Sequence, residues 1–353
     1  MRLMRETPMP GFAKIAYKRE PSFFDAQNVE GRSHTTIVGR DKLTGEIIGM
    51  GSCSFKQVYI NGKESTIGYL NSLRLRDGYR NNTYLARGFQ AFASMSNHNK
   101  NTLFLASVIS SNKPASQMLT KERRYMPGMQ KIGSFVNMAI SMAHPPVLSN
   151  HPRAAIRPAS ISDISAIVEF LDTHGRKRQF FPLYKINDFN TETGLLKGLR
   201  PESILMAYVG DQLMGVCACW NQRSFRSHSI NSYSRLVGRL RPIINLYAGV
   251  RKLPNLPPPD SEIECAYLSL VCIKDDDTAV FDEMLSEIIK RNRLAHKILI
   301  VGMHEADPLH KSSLLRYRHI NYPSTLYGFT IGNGKQGDEM LDHRTPYLEI
   351  GSL

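Results

Sequence analysis

The sequence predicts an α/β protein made of two tandem domains of one type. Three observations carry that prediction. A series of element signals, hairpin, strand, helix, strand, helix and strand, runs from His34 to Met142 and recurs after Pro158. The dipeptide Tyr69-Leu70 returns as Tyr267-Leu268, at a similar distance from the next buried strand: Tyr69 to Leu103 in one case, Tyr267 to Leu299 in the other. Between the two series, Ala143 to Pro158 carries Pro145, Pro146, Pro152 and Pro158 and interrupts every periodic pattern, which places the boundary there. A duplication explains the repeated order economically, and 353 residues exceed what one ordinary core organises.

In the first series, Thr35 to Arg40 and Ile47 to Tyr59 read as strands joined by a turn at Leu43-Thr44-Gly45. Asn61-Gly62 is a hairpin signal, because both residues tolerate the left-handed backbone of a tight turn, and Ser65 to Leu75 follows as a strand. Asn81 to Ser96 reads as an amphipathic helix with Leu85, Phe89 and Phe92 on one face. Leu103 to Ile109 is a short buried strand, Lys113 to Arg124 a helix with Pro114 in its first turn, and Ile132 to Met142 a strand. The second series repeats the plan: strands Ile204 to Val209 and Leu213 to Trp220 around Gly210-Asp211, strand Ile263 to Ile273, helix Phe281 to Arg291, strand Ile298 to Met303 and helix Lys311 to Arg318.

Composition narrows the function classes. Hydrophobic residues at 42% and charged residues at 22% indicate a folded chain, and no apolar run approaches the ~20 residues a membrane span needs. Met1 to Pro10 carries Arg2 and Arg5 with no apolar block behind them, so a secretory signal is not supported. The five cysteines, Cys53, Cys217, Cys219, Cys265 and Cys272, sit mostly in apolar runs and suit a reducing cytoplasm. Residues 1–150 hold 20 Lys+Arg against 9 Asp+Glu, and the remainder 25 against 22, so the positive field sits on the first half. That field favours an anionic ligand without choosing among a phosphorylated cofactor, an acidic substrate and nucleic acid.

The chemistry concentrates in Tyr69-Leu70-Asn71-Ser72-Leu73-Arg74-Leu75-Arg76-Asp77-Gly78-Tyr79-Arg80-Asn81-Asn82-Thr83-Tyr84-Leu85, a strand feeding a helix. A helix start after a central strand is an anion site, since its first amides lack intrahelical partners. The run resembles the signature of the GCN5-related N-acetyltransferases, V-x-P-x-x-(R/Q)-x-x-G-x-(G/A). Leu75 takes the Val position and Arg80 the Arg/Gln position, while Asp77, Thr83 and Leu85 replace Pro, Gly and Gly/Ala. Ser111-Asn112-Lys113-Pro114-Ala115-Ser116 resembles the family's N-x-x-A helix start. The resemblance implies an α/β (α+β) fold of two tandem units, each a mixed, mostly antiparallel sheet flanked by helices. It further implies that Leu73 and Leu75 face the pantetheine arm of acetyl-CoA, that Arg80 and the amides of Asn81, Asn82, Thr83, Tyr84 and Leu85 hold its pyrophosphate, and that Asn112 and Ser116 lie beside its thiol.

The family's general acid, a Tyr seven residues after that Asn, is Leu119 here. Tyr125 is the nearest phenol downstream, with capping of the core as its plainer role, and Tyr69 and Asn71, two apart on the central strand, are the other catalytic candidates. Ordered water can act as base in such a transfer. The second copy has Lys274-Asp275-Asp276-Asp277 where a pyrophosphate would sit, and like charges argue against cofactor binding there. Between Trp220 and Ile263 an insertion carries Arg223, Arg226, Arg235, Arg239, Arg241, Arg251 and Lys252 among Leu236, Leu240, Ile243, Ile244 and Leu246. It reads as a basic amphipathic helix, either a solvated arm over the domain interface or a surface for a membrane or an acidic partner. Cys217-x-Cys219 lacks a second pair and reads as core packing, His304-Glu305 with His310 lacks a metal-ligand spacing, and Gly332-Asn333-Gly334-Lys335 reads as a turn.

The expected protein is a cytoplasmic acetyl-CoA-dependent N-acetyltransferase without a metal, acting on a primary amine of a small molecule or peptide, an acidic one included. The expected domains are 1–148 with the acetyl-CoA site, 149–335 degenerate with the basic insertion near 221–260, and a polar C-terminal tail at 336–353. The alternatives are a CoA-binding or protein-interaction module that lost the chemistry, and an acyltransferase using a longer thioester. Nucleic acid is not expected as a partner, since no aromatic-and-basic signature accompanies the charge.

Overall fold

The computed structural model describes residues 2–7, 13–80, 83–95, 102–121, 126, 128–143, 152–251, 253–312, 314–330 and 341–353. In chain order the elements are α1 (Arg2–Glu6), β1 (Ala13–Lys18), α2 (Phe23–Gln27), β2 (Ser33–Arg40), β3 (Ile47–Ile60), β4 (Lys63–Leu75), α3 (Tyr84–Met95), β5 (Leu103–Ile109), α4 (Lys113–Thr120) and β6 (Gln130–Ser141). There follow β7 (Ala155–Pro158), α5 (Ile164–Gly175), β8 (Ile204–Val209), β9 (Gln212–Trp220), β10 (Ser227–Tyr233), α6 (Arg235–Arg251), β11 (Cys265–Ile273), α7 (Thr278–Asn292), β12 (Ile298–His304), α8 (Pro308–Ser312), β13 (His319–Asn321) and β14 (Ser324–Thr330).

Local chemistry accounts for several of these bounds. Asn61 and Gly62 both take positive φ, 53° and 76°, which is the two-residue turn whose twist matches the strands on either side. Asn112 caps α4 by accepting from the Ala115 amide at 3.3 Å, with Pro114 in the first turn. Asp277 caps α7, accepting from Ala279 at 3.1 Å and Val280 at 3.3 Å. The helix expected at Lys311 to Arg318 starts earlier and is shorter: Pro308 opens α8, and a 3-10 turn over Leu314–Arg316 brings the chain round to pair β13 with β6.

One sheet runs through the whole chain in the order β2-β3-β4-β5-β14-β6-β12-β11-β9-β8-β7, with β13 also on β6, and β1 pairs with β10 as a separate ribbon. The pairs β4/β5 and β11/β12 are parallel and the remaining ones antiparallel, so the sheet is mixed and mostly antiparallel. The halves exchange strands. β14, from the second half, fills the place between β5 and β6, and β6 in turn pairs with β12. Each parallel pair is short. β4 and β5 meet only at Gly68↔Phe104 and Tyr69↔Leu105, and β11 and β12 part after Tyr267↔Ile300, leaving a V-shaped opening in each half.

The helices cover both faces. In the second half α7 packs Met284, Leu285 and Ile288 on one face of the sheet, while α5 packs Ile167, Phe170 and Leu171 on the other, beside Trp220. In the first half Phe92 of α3 and Leu119 of α4 join Phe104 and Phe329. Residues 348–352, expected to belong to a polar tail, run instead into the interior: Leu348, Glu349, Gly351 and Ser352 are all buried. The physical reason is that this segment finds polar partners inside, Lys56 Nζ donating to Ser352 O at 2.7 Å and Gln222 Nε2 to Gly351 O at 2.6 Å. Residues 332–335 lie outside the described residues.

A Cβ on Gly351 would stand 2.6 Å from Trp220 Cε3 and 2.7 Å from Ser269 Oγ. Gly351→Ala is therefore expected to lower stability by about 1–3 kcal/mol, read as an earlier midpoint in urea; an unchanged midpoint would mean that the segment does not seat against Trp220.

Candidate functional site

The site is built on an irregularity in β4. Met50 pairs with Arg74 and Ser52 with Asn71, so two residues, Ser72 and Leu73, stand opposite the single Gly51. This is a β-bulge, and Ser72 adopts φ 54° in it, a left-handed conformation that costs a side-chain-bearing residue about 1 kcal/mol or more. The same irregularity recurs in β11. Leu270 and Val271 stand opposite Cys217, and Leu270 has φ 55°. Ser72 follows Tyr69, and Leu270 follows Tyr267, by the same offset, so the repeat seen in Tyr69-Leu70 and Tyr267-Leu268 extends to backbone geometry. The bulge also interrupts the strict alternation that would carry Leu73 onto the face of Tyr69 and Asn71; Leu73 is exposed and Tyr69 buried.

The two bulges differ in what they hold. In β11 the Leu270 amide donates to Glu349 Oε2 at 2.9 Å and the Val271 amide to Tyr347 Oη at 3.3 Å. A carboxylate and a phenol from the C-terminal segment occupy that pair of donors. In β4, among the described residues, no side chain accepts from the amides of Ser72 or Leu73. The first-half bulge lies at the mouth of the β4/β5 opening.

Below the bulge the chain passes Leu75 and a 3-10 turn at Asp77–Tyr79 before α3 begins at Tyr84. Arg80 sits at this junction, 55% exposed, with Nη2 at 3.0 Å from Asp77 Oδ1 and Nε donating to Leu75 O at 3.3 Å. Thr83 is exposed, and Tyr84 packs edge-on against Tyr79 at 5.3 Å, with Leu85 behind it on α3. Arg87 lies 6.0 Å over the Tyr84 ring, and the first turn of α3 contains no acidic residue. The helix start is therefore electropositive from its dipole and Arg87, while Arg80 is balanced by Asp77. Asn81 and Asn82 lie outside the described residues, as does Tyr125. Across the opening, Ser116 is half-buried and its amide donates to Asn112 O at 3.2 Å, while Leu119, at the expected position of a catalytic phenol, is core.

Tyr69 and Asn71 lie deeper. The Tyr69 hydroxyl is 2.6 Å from Ser107 Oγ on β5, its ring carries Lys56 Nζ at 4.8 Å, and burial pushes the phenol up to about 12. Asn71 Nδ2 donates to Glu30 Oε2 at 3.1 Å and to Ser54 Oγ at 3.0 Å. Glu30 is wholly buried, paired with Arg19 and 3.6 Å from Arg226. Sequence reasoning did not single out Glu30 or Arg19, because both precede the repeated pattern and match no motif. Burial lowers Lys56 to about 8.

At the equivalent junction of the second half, Asp275 pairs with Lys177 at 3.0 Å, Asp276 with Arg178 at 2.5 Å, and Asp277 caps α7. A cavity of about 400 Å³ opens there, lined by His174, Arg178, Val271, His304, Asp307 and Tyr347 among others. The acidic run thus has local partners of its own. The described cysteines are free and buried, no group of three metal-ligating side chains occurs among the described residues, and no described helix is long and apolar enough to cross a membrane.

Neither a protein-family model nor a curated protein matches the chain. Among solved structures it is similar to Saccharomyces cerevisiae N-myristoyltransferase with bound myristoyl-CoA, with a TM-score of 0.56 and 10% identity over 95% of this chain and 76% of that one. This chain has the fold of the GCN5-related N-acetyltransferases. The shared fold includes the mixed sheet flanked by helices that the sequence resemblance implied. The chain is also similar to a conserved protein of unknown function from Enterococcus faecalis V583 described as a probable N-acyltransferase, with a TM-score of 0.48 and 9% identity over 90% of this chain and 73% of that one.

Burial raises the Glu349 carboxyl above its ordinary value of 4.5. A raised acid is a native state that prefers the proton, so this group's contribution is complete below 4.5 and declines as pH climbs through the folded pKa. Glu349→Gln, which keeps an acceptor for the Leu270 amide without the charge, is expected to show a flatter dependence. Urea midpoints of the two proteins should diverge in favour of the variant from pH 4.5 toward neutrality; parallel curves would remove Glu349 as the titrating group.

Proposed function

We propose that the chain is a CoA-thioester-dependent N-acyltransferase, with acetyl-CoA as donor and a primary amine as acceptor, working at the β4 bulge. The observation that carries this reading is the pair of bulges. One seats a carboxyl oxygen of Glu349 on the Leu270 amide at 2.9 Å, which supports reading such a bulge as a seat for an acceptor oxygen, and its counterpart at Ser72 and Leu73 has no side-chain acceptor among the described residues. Acyl transfer needs donors aimed at the oxygen that gains charge as the amine attacks.

Acetyl-CoA supplies the acyl group already activated as a thioester. The amides of Ser72 and Leu73 take its carbonyl oxygen, and the backbone at Leu73 and Leu75 runs beside the pantetheine arm. Arg80, with the amides of Thr83, Tyr84 and Leu85 at the start of α3, takes the pyrophosphate by helix-terminus and charge-assisted bonds, the part read for Asn81 and Asn82 resting on the sequence resemblance alone. Asn112 and Ser116 flank the thiol end. Nitrogen bonds to the carbonyl carbon as the carbon–sulfur bond breaks, the amine proton passes to water, and the thiolate takes a proton from solvent. A phenol held at about 12 stays protonated at neutral pH, so Tyr69 serves as a donor toward developing charge and not as the base. Asn71 positions the acceptor side of the site by tying β4 to the buried Glu30.

We read residues 1–148 and 149–335 as the two copies, exchanging β6 and β14, with the second copy's donors taken by Glu349 and Tyr347 and its role confined to shaping the acceptor site. Buried free thiols fit a cytoplasmic setting.

Calorimetric titration with acetyl-CoA, followed by thiol release in the presence of an amine panel, tests the reading. Arg80→Glu is expected to weaken affinity for acetyl-CoA by about tenfold or more. Absence of affinity for any CoA thioester, with the variant indistinguishable from the parent, would end it. Binding without thiol release would assign a non-catalytic CoA-binding module, and faster turnover of longer thioesters would move the donor from acetyl-CoA toward the kind of ligand that the yeast structure holds.

A further inference from the structure

The helix α6 is not used by the site. Its six large exposed apolar side chains, Leu236, Leu240, Ile243, Leu246, Tyr247 and Val250, are between 40% and 76% exposed. At about 100° per residue they fall within an arc of about 120°, a single stripe. Arg235 borders one edge of that stripe and Arg251 the other, while Arg239 falls just inside the first edge, between Leu246 and Val250. The helix contains no Asp or Glu, and among the described residues none of its four arginines pairs with a carboxylate.

The rotation of α6 is set from its opposite side. Ala248 is buried, Asn245 brackets Leu256, donating to its carbonyl at 3.0 Å and accepting from its amide at 2.8 Å, and Arg241 Nη1 donates to the same carbonyl at 3.4 Å. The returning segment is itself held, Tyr233 Oη donating to Pro257 O at 2.7 Å. The apolar stripe therefore faces away from the body of the protein.

We propose that this face docks on an anionic lipid bilayer, with the stripe at the acyl boundary and Arg235, Arg239 and Arg251 among the headgroup phosphates. An apolar arc bordered by arginines and free of acids is what an interfacial helix requires, and 17 residues of this composition lie in the plane instead of crossing it. A nucleic acid would leave the apolar stripe in water. A second copy of α6 would bring arginine against arginine with no carboxylate to separate them.

The test is co-sedimentation of the full chain with vesicles of phosphatidylcholine and of a phosphatidylglycerol–phosphatidylcholine mixture. Binding is expected to the anionic vesicles, to be at least about tenfold weaker on the neutral ones, and to fall as salt rises. Ile243→Glu should reduce partitioning by about tenfold or more, and the double change Arg235→Glu with Arg239→Glu should remove the preference for anionic lipid. Both variants alter exposed positions, so circular dichroism and acetyl-CoA titration should match the parent, which separates this result from the fate of the proposed activity. Failure to sediment with anionic vesicles, or sedimentation indifferent to Ile243→Glu, overturns the proposal. A concentration-dependent dimer that Ile243→Glu dissolves, without vesicle binding, assigns the face to a second copy and overturns it equally.

Discussion

Strand β14 closes a gap that the first half cannot close alone. Its residues Ser324 to Thr330 pair with Ile109 to Leu103 on one side, and Ser324 to Gly328 with Phe135 to Gln130 on the other. Without it β5 would end as an unpaired edge of Leu, Phe and Ile, and β6 would lose the neighbour that joins it to the first half. The exchange makes the two halves one sheet. It also sets where the sheet opens, because β4 and β5 can diverge after Tyr69 only if β5 keeps a full ladder on its other side.

Two openings of the same construction have gone different ways. Each places a left-handed residue, Ser72 or Leu270, in a bulge beside a parallel strand that leaves the sheet. In the second half the C-terminal segment fills the donors with Glu349 and Tyr347, and aspartates occupy the helix start beyond. In the first half, among the described residues, no side chain accepts from the corresponding amides, and the approach to the helix carries Arg87 and a single acid, Asp77, paired with Arg80. The two openings thus differ both in charge and in what fills their backbone donors.

Beneath the first opening lies a polar interior that is costly unless every member is partnered. Glu30 is shared among Arg19, Arg226, Asn71 and Ser54, which come from four separate parts of the chain. Removing one partner would leave a buried charge uncompensated, so such a network fixes the relative placement of β1, β3, β4 and the segment before β10 more by specificity than by net stability. Asn71 is the member that belongs to the strand carrying the bulge, and it transmits that placement to the site.

Local features were legible in the sequence because each is settled by a few adjacent residues. Asn61-Gly62 dictates its turn through backbone freedom, Leu103 to Ile109 its strand through an unbroken apolar run, and Asn112 and Asp277 their helix starts through side-chain oxygens. The repeat was legible for the same reason, since Tyr-Leu stands at one point of the pattern twice. The bulges, the crossing of β14, the burial of Glu349 and the gathering of Arg19, Glu30 and Arg226 around Asn71 were decided only in three dimensions. An apolar strand looks alike whichever neighbour it will pair with, and a polar segment reads as exposed until distant partners satisfy it, so these features depend on contacts between residues that can stand more than 200 positions apart.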